Sequence, residues 1–367
     1  MPDLDCIESA LRKTGWNKAR VRLLARFLIA VITCRTVCLY RLANALPGDA
    51  KTSSHYKRLQ RFVGGFDLDF ARLACLVVSM VAAPAPFVLA LDRTDWKLGK
   101  VSLKVLVLAL VHKGVAFPVF WKVLGKAGNS NLAERQSLLT SLVDTFGKDS
   151  IAYVCADREL GGGDLAAWLR DQGIGFVLRL RGNVRVSNAK GTLKTARGLF
   201  WHGKMGQAKD LGERQVFGGK PLGLFVSGTR VAGGDFVIVV SDTGGDLLAR
   251  YGKRWGIETL FGCLKRRGFN LEATHLSVAD RLERLVAVLA LAFTWAYMCG
   301  AWLFETKPWK VGKHGRLMLS VFRRGLDFLQ RLLLPLCGKK SPQELEKAVR
   351  FLSCTHVHRW QTEAFPA

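Results

Sequence analysis

One short segment, YGKRWGIETLFGCLK at 251–265, carries a phenol, cations and a carboxylate at helical spacing. At 100° per residue, the four polar side chains fall within about 60° of one another on a helix. They are Tyr251, Arg254, Glu258 and Lys265. Apolar residues fill the neighbouring face of the same helix, at Ile257, Leu260, Phe261 and Leu264. The pattern predicts a polar stripe that borders a folded core, with a solvated basic face as the alternative.

Two further acids follow short apolar runs. Asp92 comes after FVLAL, and Asp157 comes after IAYVCA. Such runs predict buried strands, and the predicted elements follow the order βββ-α-β-α-β, which is the order of an RNase H-like core. In that sheet the strands of Asp92 and Asp157 are neighbours, and we expect each acid to end its strand. Taken singly, either acid could be a turn former.

Three carboxylates that converge repel one another unless divalent cations neutralise them. Oxygen ligands suit Mg²⁺ or Mn²⁺, and two such ions can activate an attacking oxygen and stabilise a leaving one in phosphodiester cleavage. The sequence therefore predicts a catalytic and metal-binding set made of Asp92, Asp157 and Glu258, with two ions per site.

The charge of the chain points to a polyanionic partner. The formal net charge is +26, and basic residues exceed acidic ones in 1–90, in 91–250 and in 251–367 alike. An excess spread over the whole length favours a long polyanion such as nucleic acid over contact through one basic tail. The hydrophobic content of 49% excludes a largely disordered chain.

The predicted fold class is α/β, with a mixed five-stranded RNase H-like sheet, a β-rich insertion, and helical N- and C-terminal regions. We expect a helical DNA-binding domain at 1–84 and a catalytic domain at 85–306, with the insertion at about 183–236. A helical C-terminal region, suited to dimer contacts, is expected at 307–367. In the first domain, Lys57, Arg58 and Arg61 share a helix face that either docks on DNA phosphates or is merely solvated.

The segment 285–304 runs for 20 residues without a charge. It predicts either a buried core helix or a membrane span, and composition alone leaves both open. The first residues carry acids where an export signal needs positive charge, which predicts a cytoplasmic protein. Nine cysteines with no C-x-x-C pair fit reduced core thiols.

The spacing Tyr251-x2-Arg254-x3-Glu258-x6-Lys265 resembles the signature of the insertion-sequence-four family of DDE transposases. LDRTDWKLG is similar to the first-Asp motif of that family, ADREL to the second, and YKRLQRF to its N-terminal region. The resemblance covers about 54–272. Asp95 departs from the pattern, because a neutral residue is expected there and a further acid could compete for the metal.

The resemblance implies a role for each matched residue. Asp92, Asp157 and Glu258 would hold the metals, and the other signature residues would contact phosphates near the 5′ end of the element. The implied DNA-binding set is Tyr251, Arg254, Trp255, Lys265 and Arg158, together with Lys57, Arg58 and Arg61. Trp255 would support a flipped base or simply pack, and Trp201 is a candidate for a second such aromatic.

The resemblance also implies a reaction and its partners. A DNA transposase of this kind binds the terminal inverted repeats of its element and frees a 3′-OH. It commonly closes DNA hairpins on the ends, and it joins those ends to target DNA as a homodimer. We therefore expect a nucleoid-associated bacterial protein that uses Mg²⁺ or Mn²⁺ and no membrane. A non-transposing nuclease with the same core and a catalytically inactive DNA-binding derivative are the alternatives.

Overall fold

The computed structural model describes residues 2–12, 15–46, 48–98, 101–125, 128–306, 318–334 and 341–353. The N-terminal part is helical. Its helices are α1 (Pro2–Arg12), α2 (Lys18–Cys34), α3 (Leu39–Ala45), α4 (Thr52–Gly65) and α5 (Phe70–Val81). The side chains of Asn17 and Asp69 cap α2 and α5 by accepting backbone N–H bonds, which explains where these helices begin.

A mixed sheet follows. Its first strands are β1 (Phe87–Leu98), β2 (Val101–His112), β3 (Val115–Leu124), β4 (Ile151–Ala156) and β5 (Phe176–Arg179). They lie in the order β3-β2-β1-β4-β5, with β1, β4 and β5 parallel and β2 and β3 antiparallel. The helices α6 (Leu132–Phe146) and α7 (Gly163–Asp171) make the crossovers. The predicted order of elements and the predicted neighbours β1 and β4 are confirmed.

The turn between β2 and β3 has two residues. Lys113 and Gly114 have φ of 48° and 79°, which is the two-residue turn that matches the twist of antiparallel strands. The helix α6 begins where Asn131 and Glu134 form a reciprocal capping box. Local sequence signals therefore determine the β2–β3 turn and the start of α6.

The prediction that Asp92 ends its strand is wrong. β1 runs on to Leu98, because it pairs with β2 as far as Leu98 opposite Val101. Its parallel pairing with β4 stops earlier, at Leu91 opposite Ala156. Asp92 thus lies inside β1 but just beyond the β1–β4 ladder.

The insertion extends the same sheet. Its elements are β6 (Arg185–Ser187), β7 (Leu193–Thr195), α8 (Ala196–Phe200), β8 (Lys209–Val216) and β9 (Leu222–Arg230), followed by β10 (Phe236–Ser241). β10 pairs antiparallel with β5, and the strands continue as β9-β8-β6-β7. The sheet therefore has ten strands where five were predicted, since the insertion adds its strands to an edge that β5 would otherwise leave open.

The spacing at 251–265 predicts one regular helix, and the structure interrupts it. The helical segment consists of α9 (Leu247–Gly252), a 3-10 turn at Lys253–Trp255, and α10 (Gly256–Leu264), and it ends before Lys265. Glycines 252 and 256 flank the turn, and glycine is the residue that weakens a helix interior most after proline.

The apolar segment forms α11 (Ala279–Thr306), at the centre of the molecule. It is long and apolar enough to cross a membrane, yet 78% of its apolar window is buried inside the protein. It packs against α2, α4, α5 and β3, and against α12 (Val321–Leu333). The last described helix is α13 (Pro342–Arg350), which begins where the Ser341 side chain accepts a hydrogen bond from the backbone N–H of Glu344. The rest of the predicted C-terminal region, at 307–317, 335–340 and 354–367, lies outside the described residues.

Candidate active site

The end of the parallel ladder between β1 and β4 brings the first two acids together. Leu91 and Ala156 form the last parallel pair of β1 and β4, so Asp92 and Asp157 leave that ladder at the same level. Their side chains are 17% and 25% exposed. The predicted proximity of these two residues therefore follows from register alone.

Arg254, in the 3-10 turn, connects the acids. Its Nη1 contacts Oδ2 of Asp92 at short range, and its Nη2 donates to Oε1 of Glu258 at 3.0 Å. Its Nε donates to the hydroxyl oxygen of Tyr251 at 3.0 Å. That hydroxyl donates in turn to Oδ1 of Asp157 at 2.9 Å. One guanidinium and one phenol thus link all three carboxylates.

The backbone that presents Arg254 depends on a close approach. A Cβ on Gly256 would lie 3.0 Å from the carbonyl oxygen of Gly114 and from the carbonyl carbon of Val115. Glycine at this position lets the start of α10 lie against the turn between β2 and β3. The stripe of Tyr251, Arg254 and Glu258 consequently faces the strand ends.

Burial and charge act in opposite directions on the acids. Burial raises the pKa of Asp92 to about 6, although the charge of Arg254 opposes the rise. Burial would also raise the pKa of Asp157, but the backbone N–H of Arg158, the charge of Arg254 and the Tyr251 hydroxyl bring that pKa below its usual range. Burial would lower the pKa of Arg254, yet the surrounding oxygens raise it, so the guanidinium stays charged.

The signature residues divide into buried and accessible members. Tyr251 and Arg254 are 2% and 4% exposed, so in this arrangement they are held inside the protein. The Glu258 side chain is 63% exposed and is the most accessible of the three acids. The predicted stripe at the border of the core is confirmed for Tyr251, Arg254 and Glu258.

Lys265 lies apart from that network. It follows the last residue of α10, and its Nζ donates to the backbone carbonyl of Asp95 at 2.8 Å and pairs with Glu272 at 3.5 Å. The Asp95 side chain is exposed, and it does not belong to the contacts that join Asp92 to Arg254. The helical-wheel argument fails for Lys265 because the helix ends one residue before it.

Arg179 was missed by the sequence analysis. It ends β5, and its guanidinium lies 3.5 Å from Asp157 and 3.3 Å from Asp235. Arg158 also pairs with Asp235, at 3.4 Å. A signal for Arg179 was present, because a residue that ends the strand parallel to β4 must lie beside Asp157. Glu159, three residues past β4, pairs with Arg93 at 2.9 Å.

The two aromatic residues considered for stacking against a flipped base are exposed. Trp255 is 60% exposed, so it does not pack into the core. Trp201, in the insertion, is 48% exposed and stacks on Phe236, with their ring centroids 6.2 Å apart. Arg197 lies 4.9 Å from the Trp201 ring. The residues predicted to contact DNA in the N-terminal part, Lys57, Arg58 and Arg61, are exposed on α4.

As the side chains stand, no group of three or more His, Cys, Asp or Glu in the described ranges is arranged to hold a metal ion. The three acids meet through Arg254 and Tyr251 instead of directly. Their donor chemistry nevertheless suits a hard divalent cation, because all three are carboxylates and one arginine and one tyrosine hold them together.

The chain has a mixed α/β fold, and three acids lie together near the end of its parallel β1–β4 ladder. This is the arrangement of an enzyme whose active site is built from carboxylates. The sequence profile of the transposase DDE domain matches residues 86–295, which is more than half of the chain. The chain therefore belongs to the DDE transposase domain family. No curated protein matches it. Membership of this family is consistent with an RNase H-like core.

Proposed function

We propose that the protein is the transposase of an insertion sequence and belongs to the insertion-sequence-four group of the family. It binds the terminal inverted repeats of its element, cleaves the DNA there and joins the freed 3′ ends to target DNA. The observation that carries this proposal is the linkage of Asp92, Asp157 and Glu258 through one arginine and one tyrosine, inside the region that matches the family. The net charge of +26 supports a DNA substrate.

The three acids are the proposed metal ligands, and members of the family generally use divalent ions. Asp92, Asp157 and Glu258 would hold Mg²⁺ or Mn²⁺, with two ions per site. Bound there, the ions would activate the attacking oxygen and stabilise the leaving one. The accessible position of Glu258 lets it adjust as DNA and metal enter.

Arg254 and Tyr251 have two proposed tasks. They hold the acids in register, because each contacts at least one of them directly. The phosphate to be cleaved must lie against the same carboxylates, so Arg254 also stands within reach of its oxygens. A fixed cation beside a phosphate in attack geometry stabilises the charge that develops there.

The outer DNA contacts are assigned to two cations and two exposed aromatics. Lys265 and Arg158 flank the acids and would bind the backbone of the cleaved strand. Exposed Trp255 and Trp201 suit stacking against an unpaired base, which a DNA-hairpin pathway needs. A homodimer on paired ends is proposed on the family resemblance, and a cytoplasmic, DNA-acting protein is what a transposase is expected to be.

The test is cleavage of an end-labelled duplex that carries the terminal repeats of the element, with Mg²⁺ or Mn²⁺ and with a chelator. Wild type should nick at the repeat boundary only with metal, and a hairpin-sized product would support that pathway. Asp92→Asn and Glu258→Gln should lose cleavage by about 100-fold or more while they still bind the duplex. Asp95→Asn is the matched control, since Asp95 is exposed on the same strand and should cut like wild type.

Other outcomes select the alternatives. Metal-dependent cutting that ignores the repeats and yields no joined product would identify a nuclease without transposition. Binding of the repeats with no cutting by wild type would identify an inactive DNA-binding derivative.

A further inference from the structure

A cavity of about 550 Å³ opens between α2 and α4, outside the region that matches the transposase family. Three arginines line it, Arg22 and Arg26 from α2 and Arg58 from α4. The remaining lining comes from His55, from residues 48–50, and from Ala19 and Leu23.

Two of these arginines have no acidic partner. Arg22 pairs with buried Glu8 at 3.4 Å, but Arg26 and Arg58 form no ion pair with a carboxylate in the part of the chain that the structure describes. The Nε of Arg26 is buried and has no hydrogen-bond partner. Burial and the neighbouring charges of Arg22 and Arg58 lower the pKa of Arg26. The walls of the cavity thus concentrate positive charge at some energetic cost.

His55 adds an unpartnered polar group. It is 2% exposed, and among the described residues neither of its buried ring nitrogens has a partner at hydrogen-bond geometry, although the backbone of Ala50 lies close enough to oppose the lowering of its pKa. Burial, together with Arg58 and Arg26, lowers its pKa, so the ring is neutral near pH 7 and offers one N–H donor. Leaving a buried donor unpaired costs the free energy of removing it from water. An acceptor from outside the protein would remove this cost.

The acids near the cavity do not supply that acceptor. Glu8 is engaged by Arg22 and by Arg12, at 3.4 and 3.8 Å. Asp49 lines the cavity, but it is exposed and forms no ion pair with Arg26 or Arg58. The donors therefore face an opening that suits an anion with several oxygens.

We propose that this cavity, formed by Arg22, Arg26, His55 and Arg58, binds a phosphodiester group of a DNA strand that lies along α2 and α4. The guanidinium fork matches phosphate geometry. Lys57 and Arg61 are exposed next to Arg58 on α4, so the basic surface continues beyond the cavity, as a polymer of phosphates requires and a single free phosphate does not. This inference rests on the proposed function, because it assumes that DNA is the polyanion that the protein binds.

Binding of a fluorescent duplex of about 30 base pairs tests it, measured by anisotropy between about 50 and 200 mM salt. Arg26→Gln and Arg58→Gln should each weaken binding several-fold, and the double variant should weaken it about 10-fold or more. The slope of log K against log salt should become shallower by about 1, the contribution of one phosphate contact. Arg170→Gln, an exposed arginine on α7, is the matched control and should bind like wild type.

A second measurement follows the wild-type protein and uses a variant only to assign the signals. The ring-nitrogen signals of His55, identified by their loss in His55→Gln, are followed as duplex or inorganic phosphate is added. The proposal expects the duplex to shift these signals at micromolar concentration, with inorganic phosphate requiring millimolar concentration.

The outcomes separate the two proposals. If wild type binds no duplex, the proposed function fails. If wild type binds duplex while both arginine variants keep its affinity and salt slope, or while the His55 signals stay fixed, the cavity is not a DNA contact. A shift of His55 with low inorganic phosphate but not with duplex would identify a free-phosphate site and overturn the assignment to DNA.

Discussion

Arg254 is the residue on which the arrangement of the acids depends. Its side chain is 5% exposed and contacts Asp92, Glu258 and Tyr251. A buried carboxylate such as Asp92 stays charged at neutral pH only when a cation stands beside it. Arg254 therefore acts as the internal counterion of the site.

Replacing that counterion should destabilise the fold. Arg254→Gln is expected to lower the free energy of unfolding by about 3 kcal/mol, because it leaves Asp92 buried and unpaired. Adding Asp92→Asn should restore part of this loss, with a coupling of about 1 kcal/mol or more in the double-mutant cycle. Urea denaturation of the four proteins measures it. Arg266→Gln is the control, since Arg266 is 89% exposed and its surface pair with Glu272 should contribute little.

Strictly additive losses from the two substitutions would show that Arg254 and Asp92 do not stabilise each other.

The sequence alone predicted which residues form this site better than how they contact one another. Spacing placed Arg254 beside Glu258, but its burial depends on the β2–β3 turn, more than a hundred residues away in sequence. The unpartnered state of His55 is likewise a property of tertiary packing, which no local pattern encodes.

At the scale of elements, apolar runs and turn residues were sufficient to predict a strand or a helix whose structure depends on its own residues. The strands β2, β3 and β4 and the capped helix α6 are of this kind. Prediction failed where a partner decides the boundary. β2 extends β1 past Asp92, and β10 converts the free edge of β5 into an inner strand.

The contact between α11 and α12 is an element-scale feature that two glycines permit. A Cβ on Gly325 would lie 1.8 Å from the carbonyl oxygen of Ala296, and one on Gly300 would lie 2.0 Å from that of Val321. No side chain can occupy such a position without moving a helix, so the two backbones touch directly.

Gly325→Ala should force these helices apart. We expect a loss of about 3 kcal/mol or more, because backbone atoms cannot yield as a flexible side chain would. Thermal and urea unfolding measure it. Gly64→Ala in α4 is the control, since nothing lies within 4 Å of its Cβ, and it should be neutral or stabilise by about 0.5 kcal/mol. Equal stability of Gly325→Ala and wild type would contradict the close packing.

At the scale of the molecule, helices from the N-terminal and C-terminal parts of the chain pack together beside α11. Arg35, just after α2, pairs with Asp327 of α12, and Gln330 donates to the carbonyl of Thr33 at 2.6 Å. The helices α1 and α13 are also in contact. The predicted division at 84 and 307 stays a prediction, but N- and C-terminal helices share one layer of packing around α11.

Trp295 joins α13 to this layer. It is fully buried, and its indole N–H donates to the carbonyl of Ala348 at 2.7 Å. Trp295→Phe should cost about 2 kcal/mol, since it loses volume and leaves that carbonyl unpaired. Trp302→Phe, on the same helix and only partly buried, should cost clearly less. Urea denaturation compares the two, and equal losses would mean that the bond to Ala348 adds nothing.

The central position of α11 also governs the order in which the protein can fold. Arg284 in its second turn donates at 2.8 Å to the carbonyl of Phe66, a residue 218 positions earlier. Contacts between residues so far apart in sequence form slowly, because the chain loses conformational entropy before the contacts form. The N-terminal helices therefore cannot complete their packing before α11 forms. The uncharged run at 285–304 stays exposed until α12 packs against it. Refolding is expected to be slow and to aggregate at micromolar concentration, whereas synthesis from the N-terminus delivers this apolar segment only after the N-terminal helices and the sheet.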